Sequence, residues 1–524
     1  MELDHEACYR AISTRDARFD GRIFIAVRTT RIYCRPICPA RTPKRENVTF
    51  FATASAAQEA GYRPCLRCRP ESSPDLGAWR GTSNTVSRAL TLIGEGALDG
   101  EAVDALAERL GIGERQLRRL FRQHLGASPI AVAQTRRVLF AKQLIVETTM
   151  PMAEVALAAG FNSIRRFNAT FQILYQRSPR ELRRSKLIDG EQTGAEGITL
   201  KLPYAPPYDW DAMIDFLGAR AIRGIEAVDN RWRYRRSIAL DGVQGVISVE
   251  PDNREPALRV AIRFPQVSAL SGIVRRVRRI FDLSADPLAI RDDLGRDPLL
   301  APLVAKRPGL RVPGAWDGFE VAVRAILGQQ ITVVAAVNLA AKLVAEHGEP
   351  LQTVCGDGLT HIFPTPDRIA QANLLGMPAA RAQALSVAAA ASANPNFFSP
   401  SQTLEDAIAK LRSIRGIGEW TAQYIAMRVL REPDAFPAAD IGLLRALARS
   451  EEGRPSTAEV IARAEAWRPW RAYAAQHLWT VDTRTARANT CTSLKENADG
   501  HPSSAADPVR RPPRERDRNI ASHP

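Results

Sequence analysis

Four of the seven cysteines fall into two close pairs, Cys34-x3-Cys38 and Cys65-x2-Cys68, with 26 residues between them. Each pair can grip one edge of a tetrahedron, so the spacing fits a zinc ion held by four thiolates. Cys8, Cys355 and Cys491 stand alone. The N-terminal run MELDHEACYR is acidic and polar and lacks the apolar stretch of a secretion signal. In a chain without an export signal a clustered quartet points to metal before disulfides. The competing reading is four structural thiols with no metal. Four thiolates around Zn²⁺ leave two net negative charges, and each sulfur is then a stronger nucleophile than a neutral thiol. The spacing does not choose among the four.

A second chemical pattern lies in Leu411–Leu430, LRSIRGIGEWTAQYIAMRVL. Here a helix, the turn Gly416-Ile417-Gly418 and another helix make a hairpin. Its glycines let backbone N–H groups point outward at a helix N-terminus, where they can hold a phosphate. The segment FPAAD follows at a short interval and ends in Asp440. An Asp before a helix often caps it, and a helix is expected from about Ile441. Trp420 and Tyr424 are four residues apart on one helix face, a spacing compatible with core packing or with a site.

Other elements must bring such groups to a polyanion. In Val103–Leu125 the residues Val103, Leu106, Ala107 and Leu110 share one helix face, Gly111-Ile112-Gly113 breaks the helix, and Leu117, Leu120 and Phe121 resume the face. This is a helix-turn-helix pattern. A second copy runs over Met152–Phe171, with its turn at Gly160-Phe161-Asn162 and core positions Ile164, Phe167 and Phe171. Arg115, Gln116, Arg118, Arg119 and Arg122, then Arg165, Arg166 and Asn168, point away from the cores. Such side chains can read purine edges or hold phosphates, and they can also be plain solvated surface.

The chain has 524 residues, 45% of them hydrophobic, and a formal charge of +15. That length calls for several domains. Residues 1–185 hold 29 Lys and Arg against 18 Asp and Glu, a net of +11, so the attraction to phosphates is strongest in the first third. An arginine bias without a partner is the bland alternative. No stretch is long and apolar enough to span a bilayer.

The pattern along the chain divides it into a small zinc-stapled α/β module (1–75), an all-α double helix-turn-helix domain (84–185), a polar linker (186–197), an antiparallel β subdomain (198–267), a helical hairpin-bearing domain (268–482) and a basic disordered tail (483–524). ITLKL, RWRYRRSIAL, GVISVE and ALRVAIRF read as strands, with DWDAMIDFLGARA helical between the first two.

Three resemblances attach to these residues. FIAVRTTRIYCRPICPAR, ENVTFF and AAGYRPCLRCRP closely resemble the N-terminal domain of Ada-type adaptive-response regulators. The resemblance implies that Cys34 takes a methyl group from a methylphosphotriester while Cys38, Cys65 and Cys68 remain zinc ligands. It makes Arg35, Arg41, Lys44, Arg45 and Arg67 candidates for phosphate contacts. AAGFNSIRRFNATFQILYQRSP resembles the AraC-type DNA-binding domain, with Arg177 standing where glycine is usual before Ser-Pro. It makes Arg118, Arg119, Arg165 and Arg166 the expected DNA contacts.

From about Ile198 to Thr480 the motifs PPYDWDAMIDFL, FDLSADP, RPGLRVPGAWDGFEVAVRAILGQQ, FPTP, LGMPAARAQAL and WRPWRAYAAQHLW resemble AlkA-type 3-methyladenine DNA glycosylases of the helix-hairpin-helix class. The resemblance implies that Asp440 is catalytic, that Trp420, Tyr424, Trp479 and Phe216 line the base pocket, and that Gly416 and Gly418 contact DNA. An alkylated purine carries positive charge, which suits electron-rich rings. Lyase-competent relatives place a Schiff-base lysine where this chain has Trp420, so strand cleavage is not expected. Close members place a leucine wedge where this chain has Gln330, next to Ile331.

The expectation is therefore a bifunctional alkylation-repair protein: a monofunctional DNA-3-methyladenine glycosylase joined to a methyl-accepting transcriptional regulator. It uses one tetrathiolate zinc and no organic cofactor. Its partner is double-stranded DNA, at lesions and at an operator, with RNA polymerase a further candidate, and it works as a monomer in the bacterial cytoplasm. Two rivals are a glycosylase whose first half only anchors DNA, and a regulator with an inactive glycosylase fold. Neither Cys355 nor Cys491 sits in a Pro-Cys-His-Arg setting, so the O6-alkylguanine transferase of many Ada proteins is expected to be absent.

Overall fold

The computed structural model describes residues 3–74, 84–94, 96–184, 197–230, 232–355, 358–374, 377–394, 397–398, 403–448 and 453–481. The expected tail over 483–524, Cys491 and all of the expected linker except Gly197 lie outside the described residues.

The first module begins with α1 (His5–Ser13), capped by Asp4, whose carboxylate accepts from the Glu6 N–H at 2.9 Å. Strand β1 (Phe24–Val27) pairs antiparallel with β2 (Ile32–Cys34) and β3 (Val48–Phe51), and β4 (Arg63–Pro64) joins β2 in parallel. Helix α2 (Ala54–Glu59) covers the sheet. The cores here are small: Phe24, Ala26, Tyr33, Ala57 and Tyr62 in one cluster, Ile12, Ile25 and Val48 in another. So little apolar burial leaves stability to a metal staple.

Among the described residues seven helices follow: α3 (Asn84–Gly94), α4 (Val103–Leu110), α5 (Glu114–Leu125), α6 (Pro129–Glu147), α7 (Met152–Ala158), α8 (Ile164–Tyr175) and α9 (Pro179–Arg184). Val103, Leu106, Ala107, Leu110, Leu117 and Phe121 are buried in the first unit, as their spacing requires. In the second unit Phe167 and Phe171 are buried, but Ile164 is 52% exposed. It is the first residue after the Ser163 cap, where the side chain lies beyond the packed face. This corrects its expected place in the core.

Both units close on a left-handed residue. Gly126 fills that place in the first (φ 68°), and Gln176 in the second (φ 53°). The expected departure at Arg177 therefore sits one residue earlier, because the turn needs its positive φ at Gln176. A residue with a Cβ is strained there by roughly 1–2 kcal/mol. Gln176→Gly should raise stability by about 1 kcal/mol, read as a higher denaturant midpoint at unchanged slope.

The second half opens with a five-stranded antiparallel sheet: β5 (Ile198–Pro203), β6 (Glu226–Asp229), β7 (Arg233–Leu240), β8 (Val243–Pro251) and β9 (Ala257–Arg263), in the order β5-β9-β8-β7-β6. Helix α10 (Trp210–Gly218) lies between β5 and β6. Strand β6, and a small hairpin of β10 (Glu349–Cys355) with β11 (Leu359–Ile362), were not expected from the sequence. The remaining helices are α11 (Leu270–Ile280), α12 (Pro287–Leu294), α13 (Ala301–Lys306), α14 (Gly318–Leu327), α15 (Val333–His347), α16 (Pro366–Gln371), α17 (Ala379–Ala391), α18 (Leu404–Arg412), α19 (Glu419–Ile425), α20 (Ile441–Ala446) and α21 (Thr457–Ala464), then a helix over 471–481. They enclose one large core that includes Phe319, Ile326, Leu411, Ile425, Phe436 and Trp467.

The core of the second helix-turn-helix unit continues into the sheet. Val138, Phe167, Phe171 and Tyr175 belong to one buried cluster with Leu200, Leu202, Val260 and Phe281. The sequence places a linker between these parts, yet they pack as one body.

Candidate functional site

The four cysteine sulfurs lie within 4.8 Å of one another. Cys34 ends β2, and the Cys65–Cys68 loop follows β4, so the parallel β2–β4 pairing sets the two pairs face to face. Backbone N–H groups of Arg35 and Arg67 donate to Cys68 Sγ (3.3 Å) and Cys65 Sγ (3.4 Å). Four sulfurs this close cannot all ionise unaided. The Cys34 thiol is held far above the ordinary cysteine range by hydrogen bonding with Cys38, then Cys65 and Cys68, and contact with Cys34 pushes Cys65 far below it. A divalent cation lets all four become thiolates, so the donor set fits zinc. Cys65 and Cys68 are buried, whereas Cys34 and Cys38 are both half-buried, so the accessible side of the cluster carries Cys34 and Cys38 together.

Arg35 does not face outward. Its guanidinium donates to Asp20 (Nε–Oδ1 2.9 Å, with a second bond from Nη2) and to the Cys68 carbonyl (3.2 Å), and its side chain is 12% exposed. It braces the cysteine loop, which corrects its expected role at phosphate. Arg41, Arg45 and Arg67 are exposed, and Arg45 pairs with Glu6. Arg118, Arg119, Arg165 and Arg166 are all exposed on α5 and α8, with Arg118 bonded to Glu114 at 2.9 Å.

The second centre forms around Asp440. Its carboxylate caps α20, with Oδ1 accepting from the N–H groups of Gly442 (2.9 Å) and Leu443 (3.2 Å). The same carboxylate accepts from two indoles: Trp479 Nε1 to Oδ1 at 2.8 Å and Trp420 Nε1 to Oδ2 at 2.9 Å. The capping role and a role in a site thus coexist in one residue. Three donors converge on Oδ1, which leaves Oδ2 the oxygen with room for another partner. Trp420 stacks on Tyr424 with centroids 5.3 Å apart and planes 9° apart. Trp420, Tyr424, Trp479 and Phe216 are each half-buried.

Sequence reasoning missed two arginines. The guanidinium carbons of Arg220 and Arg428 lie 3.9 Å and 4.6 Å from the Phe216 ring centroid, and Arg428 Nη1 donates to Tyr424 Oη at 2.6 Å. Burial alone would raise the Tyr424 phenol, but the charges of Arg428, Arg220 and Arg324 outweigh it and bring it below the ordinary tyrosine value. The signal was present, since Arg220 follows Phe216, and Arg428 follows Tyr424, by one helical turn.

Gly416 in the hairpin turn has φ 96°, and a Cβ there would stand 2.6 Å from Ala384 Cβ. Gly418 caps α19. Gln330, also left-handed (φ 61°), and Ile331 are exposed in the turn between α14 and α15. That turn is tied to the hairpin by Gln329 Nε2, which donates to the Gly416 carbonyl (2.8 Å) and Thr421 Oγ1 (3.2 Å).

Comparison with known proteins bears on both centres. The family described as "Metal binding domain of Ada" matches residues 7–71, a "Helix-turn-helix domain" matches 106–185, and the "AlkA N-terminal domain" matches 199–317. A "Probable bifunctional transcriptional activator/DNA repair enzyme AlkA" of Mycobacterium tuberculosis is 41% identical over 487 residues, covering 92% of this chain and 97% of that protein. The chain belongs to this bifunctional activator/DNA repair family. The DNA-3-methyladenine glycosylase 2 of Escherichia coli is 36% identical over 54% of the chain and 96% of its own length. The bifunctional transcriptional activator/DNA repair enzyme Ada of Escherichia coli is 37% identical over 26% of the chain and 37% of its length. Among the described residues no helix is long and apolar enough to cross a membrane.

Proposed function

We propose that the chain repairs alkylated DNA at two centres and reports the damage through its helix-turn-helix pair, acting as a monomer in the bacterial cytoplasm. At the first centre the Cys34 sulfur attacks the methyl carbon of a backbone methylphosphotriester. An S–C bond forms as the O–CH₃ bond breaks, and the phosphodiester leaves with the electron pair and a negative charge. Cys38, Cys65 and Cys68, with Cys34, would hold a zinc ion, which would keep the sulfurs ionised at neutral pH. The methyl stays on the protein, so each chain reacts once. Arg41, Arg45 and Arg67 face the phosphates, and Arg118, Arg119, Arg165 and Arg166 face the operator grooves.

At the second centre the damaged nucleotide leaves the stack and its base enters the aromatic pocket of Trp420, Tyr424, Trp479 and Phe216. Gly416 and Gly418 hold the adjacent phosphate by backbone N–H groups, and Gln330 with Ile331 fills the vacated space. As the glycosidic bond breaks, positive charge develops on the sugar. The Asp440 carboxylate stabilises it, and water adds at the anomeric carbon. The observation that supports this reading most is the fixing of Asp440 by Trp420 and Trp479, because it joins the acid and the pocket in one unit. Release of free alkylated base from methylated DNA, followed by chromatography, tests it. No release by the intact chain would overturn it.

The pocket holds Trp420 at the place where a lysine would form a Schiff base, so the product strand should keep intact abasic sites until alkali is added. Borohydride should trap no covalent protein–DNA adduct. A trapped adduct would show that another amine has taken the lysine's role.

A further inference from the structure

Helix α6 is gripped from both sides by side chains that neither repair centre uses. Toward the zinc module, Lys142 Nζ donates to Glu71 Oε2 at 2.7 Å and reaches the Cys65 carbonyl at 3.5 Å. Arg69, the residue after Cys68, donates to Glu147 Oε1 at 3.1 Å. Toward the glycosylase half, Glu147 Oε2 accepts from the Lys201 N–H at 3.0 Å, and Gln143 Nε2 donates to the Lys201 carbonyl at 2.8 Å. Gln143 also donates to Glu147 at 3.1 Å, which closes the network.

Lys201 lies on β5, the edge strand of the five-stranded sheet, and its backbone groups are satisfied by α6 on the side away from β9. The Lys142 and Glu71 side chains are 3% and 1% exposed, and Glu147 is 12% exposed. Breaking a buried pair on one side only is costly, so the members must move together or not at all. An apolar path runs beside the polar one. Leu66, between two residues of the Cys65–Cys68 loop, packs on the same core that contains Val138 of α6, Phe171 and Tyr175 of α8 and Leu200 of β5. Lys142 also lies 5.3 Å from the Tyr175 ring at the end of α8.

We infer that α6 couples the cysteine cluster to the glycosylase half, so that a methyl on Cys34 changes the edge strand β5 and the rate of base release. The inference rests on the reading of Cys34 as methyl acceptor. Methylation removes one negative charge from a cluster whose Cys65 carbonyl touches Lys142 and whose last ligand adjoins Arg69. Both cations then redistribute between the cluster and their carboxylates, and Glu147 is shared with Lys201. The same helix joins the two helix-turn-helix units, so one event at Cys34 reaches operator binding and base excision together.

The test uses the full chain before and after reaction with a methylphosphotriester oligonucleotide, the methyl being located by mass spectrometry. Amide exchange over residues 198–203 and single-turnover base release at sub-saturating protein are then compared. The expected result is altered exchange at 198–203 and at least a roughly threefold change in release on methylation. Both effects should vanish in Glu147→Gln, and in the milder Gln143→Leu, which keeps the two ion pairs. Methylated wild type with unchanged exchange and release overturns the coupling while leaving the methyl-acceptor reading intact. So does an effect that persists in both variants, since the route would then lie elsewhere. Absence of a methyl on Cys34 overturns the reading and the coupling with it.

Discussion

Asp440→Asn should lower the rate of base release by about a hundredfold or more, several kcal/mol of transition-state stabilisation, while DNA affinity stays near that of the wild type. Asparagine has the same shape, and its carbonyl oxygen in the place of Oδ1 can still accept from Gly442 and Leu443, so the cap of α20 survives. What is lost is the charge. The amide nitrogen also falls where Oδ2 accepts from Trp420 Nε1, which sets two donors against each other at about 2.9 Å. Asp440→Ala would be the poorer test, because removing the cap costs about 1 kcal/mol of stability as well. Single-turnover release of 3-methyladenine measures the effect. Near-normal release by Asp440→Asn would remove Asp440 from the chemistry and leave it a capping residue.

Methylation of Cys34 should raise operator affinity of the intact chain, and Cys34→Ala should accept no methyl at all. Zinc with four thiolates carries two net negative charges facing a polyanion. A thioether in place of one thiolate halves that charge. Removing one like charge near a phosphate favours binding by roughly 1 kcal/mol or a few, about fivefold to a hundredfold. Cys34 and Cys38 are half-buried, against the buried Cys65 and Cys68, so the proposed acceptor lies on the accessible side of the cluster. Titrations across a salt series before and after methylation measure the switch. Equal affinity at every salt concentration would reduce the first half to a repair or anchoring device.

The parts legible in the sequence were those fixed by local spacing. The cysteine pairs, the glycine-marked turns of both helix-turn-helix units, the hairpin at Gly416 and the strands beginning at Ile198, Arg233, Val243 and Ala257 all follow from short-range pattern. Strand β6 was hidden because Glu-Ala-Val-Asp has only two apolar residues and is half-buried along its whole length. Ile164 misled because an apolar residue at the first helical position matches the period of the helix without reaching its packed face.

Arg35 misled for a different reason. Its partner Asp20 is 15 residues away, and nothing in an arginine beside a cysteine reveals whether it faces solvent or an acid. The contacts of α6 were beyond local reach altogether, since Lys142 meets Glu71 across 71 positions and Glu147 meets Lys201 across 54. Asp440 was readable as a cap from its place before Ile441. That two indoles from residues 20 and 39 positions away also bind it required the fold.

The central claim, that one chain carries both repair chemistries, is tested most directly by mass spectrometry of a single incubation of the full chain with methylated duplex DNA. The prediction is free 3-methyladenine that accumulates beyond one equivalent per chain, together with one methyl that saturates on the peptide bearing Cys34. Release no faster than with Asp440→Asn, or a Cys34 peptide that stays unmodified, would contradict it.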